Sequence, residues 1–345
     1  MDSCLRKNKK PEGVIDLMEI SLRKVGLFVL FIIWVVVLSF VVRFFDIELV
    51  IEPITLLYAL IIFFVIHAFW AWNWQSLNKA VGLKYDYWTL LKGTFIAGFT
   101  DSVTPRLMPS AELTTSYYLE QRFGGRLADY FPVVMLESNI IFVFQIVVFL
   151  IAALLFGGVM IRASVYIVVA LFFVLLALVV AWQFKDKIIK DIFKLSLGNI
   201  KALNKSTGRI MDLVYDNPLL VLRVGLVNLC LLMLEASVVY VAIGQWDSFL
   251  IVLIAFMATR LITLVSMIPG GVGVYEISIS AILGAGGIES GILLSAVIIY
   301  RSIFYWFNIF LGGYLTGSEL YLWLTSLGSD RISKEFQEVK FNNTP

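Results

Sequence analysis

IPGGVGVYE, residues 268–276, interrupts an apolar stretch that runs from about residue 248 to 286. Pro269 lacks the N–H a continuing helix needs, while Gly270, Gly271 and Gly273 let the backbone turn tightly and approach a ligand or a neighbouring helix. A helix must break here and resume toward Glu276. An earlier apolar stretch, near 88–120, is broken in the same way by Pro105 and Pro109. Both stretches read Ser-x2-Pro-x6-Glu: Ser102, Pro105 and Glu112 recur as Ser266, Pro269 and Glu276, an offset of 164. The flanks agree, since Pro53 opens one long apolar run as Pro218 opens another, and Glu137 falls opposite Arg301.

The composition excludes an ordinary soluble domain. Hydrophobic residues make up 60% of the chain and charged ones 15%, with a mean hydropathy of +0.91, whereas soluble domains carry about 25% charged residues. Crossing a bilayer takes about 20 mostly apolar residues, and such runs lie near 26–44, 54–74, 130–156, 161–183, 218–243 and 291–316. Broken backbone is tolerated at membrane depth where it is buried in protein or lines a cavity. The sequence therefore predicts an all-α polytopic membrane protein with six spans and two re-entrant hairpins. These eight hydrophobic passages divide into a first repeat (26–157, hairpin near 88–120) and a second (161–316, hairpin near 248–286), between a basic segment (1–25) and a polar tail (317–345).

Cytoplasmic loops hold the excess of Lys and Arg, which places the N-terminus (Arg6, Lys7, Lys9, Lys10) and the loop carrying Lys185, Lys187, Lys190 and Lys194 inside. Lys79, Lys84, Arg122 and Arg126 flank the first hairpin on both sides, so it enters from the cytoplasm. The second, bounded by Asp247 and Glu289, has no basic flank and enters from outside. The repeat is thus inverted, the expected location is the cell membrane, and both termini are expected in the cytoplasm. A net charge of +2 offers no nucleic-acid surface.

Ionisable residues at membrane depth cost roughly 2.5–3.5 kcal/mol on insertion scales, so each needs a partner or a wet cavity. Asp101, Arg106, Glu112, Glu137, Glu235, Arg260, Glu276 and Arg301 are such residues. One reading has Arg301, with Arg106 or Arg260, receiving a lipid phosphate while Glu112, Glu137 and Glu276 pair with those arginines or with a cationic head group. Guanidinium is the side chain best shaped for a phosphate. The other reading makes them structural salt bridges between the halves. Ser102, Thr104, Pro105 and Pro109 mark one hairpin tip, and Ser266, Pro269, Gly270, Gly271 and Gly273 the other. The glycines serve either ligand approach or a tight packed turn. His67 is the single histidine, and Cys4 and Cys230 read as unpaired thiols, so no metal site, cofactor or disulfide framework is expected. Trp70, Trp72 and Trp74 read as an interfacial aromatic belt. No hydrolase or nucleotide-binding motif is present.

IPGGVGVYE followed by Arg301 in IIYRSIFYW, together with VTPRLMPSAELTTSYYL followed by Glu137, resembles the lysylphosphatidylglycerol synthase transmembrane (UPF0104-type) family. The resemblance covers roughly residues 20–325. The family's first hairpin has glycines where Ser110 and Ala111 stand here, and its Glu-Arg pair is Glu137-Ser138, so only the acid carries over. The resemblance implies lipid translocation between leaflets, whereas lysyl transfer belongs to a separate domain that the tail at 317–345 is too short to hold. The expectation is a lipid flippase or scramblase rather than an enzyme, with membrane lipids as partners and a homo-oligomer or a partner lipid synthase as further possibilities. The rivals are an enzyme acting on lipid head groups, with Glu112 or Glu276 as base, and a scaffold for a lipid synthase.

Overall fold

The computed structural model describes residues 53–105, 109–149, 151, 214–244, 249–266 and 268–319. The described residues are mostly helical, with no strand among them. Among the described residues four helices are long and apolar enough to cross a membrane: α1 (Pro53–Ala80), α4 (Leu127–Phe149), α5 (Pro218–Ile243) and α8 (Ser290–Glu319). At 1.5 Å rise per residue, even a helix of the length of α4 covers about 35 Å, more than the ~30 Å hydrocarbon core. They match four of the six expected spans; those at 26–44 and 161–183 lie outside the described residues, as do the basic N-terminal segment, the loop with Lys185, the tail beyond 319 and Arg106.

Pro218 opens α5 at the position where a helix has no use for an N–H, and Gly244 closes it in the left-handed conformation at φ 68°. Outward faces are apolar too. Ile54, Leu57, Ile61 and Phe64 form an exposed stripe on α1, and Leu219, Leu222 and Leu226 another on α5. Such stripes at helical spacing carry polar residues in a soluble protein and fit a lipid surround here.

Each broken stretch folds into two packed arms. The first comprises α2 (Tyr87–Val103), capped by Asp86, which accepts from the Thr89 N–H at 3.1 Å, and α3 (Ser110–Phe123). Gly93 faces Trp74 and Tyr118, and the Thr104 and Ser110 hydroxyls hydrogen-bond at 2.5 Å across the break, so the arms run antiparallel. The second comprises α6 (Phe249–Val265), a 3-10 turn (Pro269–Gly271) and α7 (Val274–Ala285). Its first arm stops at Val265, and Pro269 opens the 3-10 turn instead of ending the arm. Gly271 lies over Thr263, and Phe256 meets Tyr275 edge to face.

Buried residues of α5, α6, α7 and α8 share one apolar core that includes Phe149 of α4, and those of α1, α2, α3 and α4 share another. The two broken stretches touch where each breaks: a Cβ on Gly270 would stand 2.8 Å from the carbonyl oxygen of Ser102. Helix α8 crosses α2 so closely that Gly312 abuts the Phe95 carbonyl and Gly98 abuts Asn308. Just after Arg301, residues Ser302–Phe307 of α8 are π-helical, a rare local widening that recurs at functional sites.

Candidate functional site

A cavity of about 210 Å³ opens where the two breaks meet. Its wall carries Asp101 and Ser102 from α2, Glu112 from α3, Glu137 from α4, Glu235 from α5, Arg260 from α6, Gly270 from the 3-10 turn and Arg301 from α8. The fold therefore brings Ser102, Glu112, Glu137, Arg260, Gly270 and Arg301 to one space. Glu276 stands behind Arg301, while Thr104, Pro105, Pro109, Ser266, Pro269, Gly271 and Gly273 shape the tips without forming the wall.

On the side of the second break the charges are closed on themselves. Arg301 donates from Nε to Glu276 Oε1 at 2.6 Å, from Nη1 to the Gly270 carbonyl at 2.9 Å and from Nη2 to the Gly271 carbonyl at 3.0 Å. The rings of Tyr275 and Tyr305 flank its guanidinium at 4.7 and 4.8 Å. Glu276, third residue of α7, turns its other oxygen back to the Gly273 N–H at 2.7 Å and caps its own helix. The orphan groups of a broken helix are satisfied by these two side chains. Arg301 keeps one N–H on each Nη for the cavity, so it pins the hairpin first and offers a ligand only what is left.

Arg260 is matched in the same way. It donates to Glu235, whose Oε1 also accepts from the Tyr300 hydroxyl at 2.5 Å. The sequence marks Glu235 as an ionisable residue at membrane depth without assigning it a partner and does not single out Tyr300, because nothing short of the α5–α6–α8 contact joins residues so far apart in the chain. Tyr300→Phe removes one hydrogen bond to a buried charged acceptor and is expected to cost about 2 kcal/mol, read as a lower melting temperature of the detergent-solubilised protein with its helix content unchanged.

On the side of the first break the acids lack such closure. The Trp74 indole N–H donates to Glu137 Oε2, and Asn73 and Asn228 stand beside the same carboxylate. Asn228 itself accepts from the Trp70 indole at 3.1 Å and donates to the Val224 carbonyl at 3.0 Å. The aromatic-belt reading is thereby corrected. Residues 70 and 74, four apart, share the inward face of α1, whereas Trp72 points out with Arg223 over its ring at 4.7 Å. Glu112 sits beside Ser138 of α4 and within the field of Asp101. His67 is buried, stacks on Phe95 at 4.3 Å and hydrogen-bonds the Thr94 hydroxyl at 3.2 Å. Among the described residues no group of His, Cys, Asp and Glu has the make-up of a metal site.

Apolar helices of spanning length around a charged, helix-broken cavity define a multi-pass membrane protein. The profile of the lysylphosphatidylglycerol synthase transmembrane region matches residues 24–312, and the chain belongs to that family. A UPF0104 membrane protein of Pyrococcus horikoshii is 24% identical to it over 75% of this chain and 85% of the relative. No solved structure matches.

Proposed function

We propose that the protein moves a membrane lipid, a phospholipid or related amphiphile, between the leaflets of the cell membrane, the cavity being the path of the polar head group. The observation that carries this reading is a cavity walled by ionisable residues from both broken stretches, in a chain whose described spans are otherwise apolar. A charged head group crossing hydrocarbon unaided meets a barrier that such a polar wall lowers. The remaining Arg301 N–H groups suit a phosphate oxygen.

The same reading takes the two hairpins as re-entrant from opposite faces, within two inverted repeats of six spans and two hairpins and with both termini cytoplasmic. Its support is the matching placement of Glu112 and Glu276 as third residues of the second arms, of Glu137 and Arg301 in the helices that follow, and the contact of Ser102 with Gly270. Alternating access to a site between inverted halves is a recurrent transporter design. A transporter fits better than an enzyme using Glu276 as base, because both oxygens of that carboxylate are already engaged.

The test is a leaflet-resolved assay. Purified protein goes into liposomes of phosphatidylglycerol and phosphatidylethanolamine bearing a fluorescent analogue of either, and dithionite is added outside. Bleaching beyond the outer-leaflet fraction is expected. Bleaching that stops at that fraction, in vesicles shown to contain folded protein, removes the proposal, and a new lipid species by mass spectrometry favours the enzyme reading.

A further inference from the structure

We propose that Glu112 and Glu137 form a carboxylate pair that binds a proton in the cavity, and that this proton couples lipid movement to pH; only the coupling rests on the translocase reading.

At the offset that aligns the halves, Glu112 corresponds to Glu276 and Glu137 to Arg301. In the second half the corresponding residues are an acid and a base bonded at 2.6 Å. In the first half both are acids, and they face the same cavity. Replacing the base by an acid turns a neutral pair into one that bears two negative charges, which a site of low dielectric does not hold without a compensating positive charge.

Among the described residues no cation is bonded to either acid. Arg260 is bonded to Glu235 and Arg301 to Glu276, each within its own half. The other titratable groups that line the same cavity are His67 on α1, hydrogen-bonded to Thr94, Asp101 on α2, Tyr275 on α7, and Tyr300 and Tyr305 on α8.

A second observation is independent of charge. Glu137 is 4% exposed, and its Oε1 has no hydrogen-bond partner among the described residues although the residue lines the cavity. The Asn73 and Asn228 amides stand close enough to favour the carboxylate, but neither meets hydrogen-bond geometry on that oxygen. The amide oxygen of Asn308, a residue 7% exposed that lines the same cavity, is likewise an acceptor without a donor. Buried acceptors are nearly always matched; the Asn73 amide nitrogen and the Tyr275 hydroxyl are buried without partners too and close no bond on Glu137 Oε1, which leaves that oxygen open to a proton. A proton taken from cavity water onto the pair completes it: one O–H bond forms on the carboxylate, one breaks in hydronium, and water leaves.

The test reads proton binding without lipid movement. Infrared spectra of the liposome-embedded full chain at neutral pH are expected to show a protonated-carboxyl band that shifts in D2O and is lost in Glu137→Gln and in Glu112→Gln. Glutamine is the neutral isostere and leaves no charge unpaired, so the melting temperature of both variants is expected to stay near that of the parent. In the dithionite assay, the pH dependence of the parent's rate is expected to flatten in the same variants.

Absence of the band from the parent overturns the proposal. That is the result if Arg106 or a metal cation neutralises the pair. A band that survives both substitutions also overturns it. A band of the expected behaviour in vesicles where no lipid moves removes the translocase reading alone, and lipid movement with no band removes this one alone.

Discussion

Arg301→Ala is expected to cost about 3–5 kcal/mol of stability, the usual penalty for removing one partner of a buried ion pair, and to appear as a large drop in melting temperature in detergent and in yield. The substitution deletes three hydrogen bonds at once and both ring contacts. It takes from the Gly270 and Gly271 carbonyls the donors they have in the structure and leaves Glu276 with one backbone donor. Arg301→Lys is expected to recover only part of the loss, because a single ammonium on a flexible stem does not span three acceptors set by a planar fork. A variant with alanine at 301 that melts with the parent and still moves lipid ends both the pinning role and any part for Arg301 in the head-group path. One that keeps its stability but stops moving lipid shifts Arg301 from the hairpin to the substrate.

Gly270→Ala is expected to be about as damaging, by a different route. The residue holds φ at 58°, a conformation costing other residues on the order of 1–3 kcal/mol. Its new Cβ would also fall into the Tyr305 ring and stand 2.8 Å from the Ser102 carbonyl oxygen, a backbone atom that cannot swing aside. Overpacking of that kind adds about 1–3 kcal/mol. Gly273 provides the control: its φ is 82°, yet nothing lies within 4 Å of its built Cβ, so Gly273→Ala should show the conformational cost alone. Equal melting temperatures for the two variants would remove the claim that the breaks are held by backbone-to-backbone contact.

The breaks themselves were legible in the sequence because proline and glycine act locally. The spacing Ser-x2-Pro-x6-Glu placed Glu112 and Glu276 at the same position of their arms, and the structure has both as third residues of a helix. What each charge bonds to was not legible. Arg301 and Glu276 meet because α8 returns beside α7, a fact of packing that no local pattern encodes. The tryptophans misled for a related reason: composition marks an aromatic cluster, but spacing decides that Trp70 and Trp74 face one way and Trp72 the other. Asn308 drew no notice as one amide in a long apolar run, although a lone amide there is itself a signal worth reading. The π-helical segment beside it has no sequence mark at all.

Glu276 grips a guanidinium with one oxygen and a helix end with the other. Mutational routes through this position are consequently narrow. Shortening it to Asp or exchanging it with its partner breaks two attachments in a single step, so divergence here has to proceed by paired replacement, while Glu137 and Glu112, bound to no arginine among the described residues, are open to change one at a time.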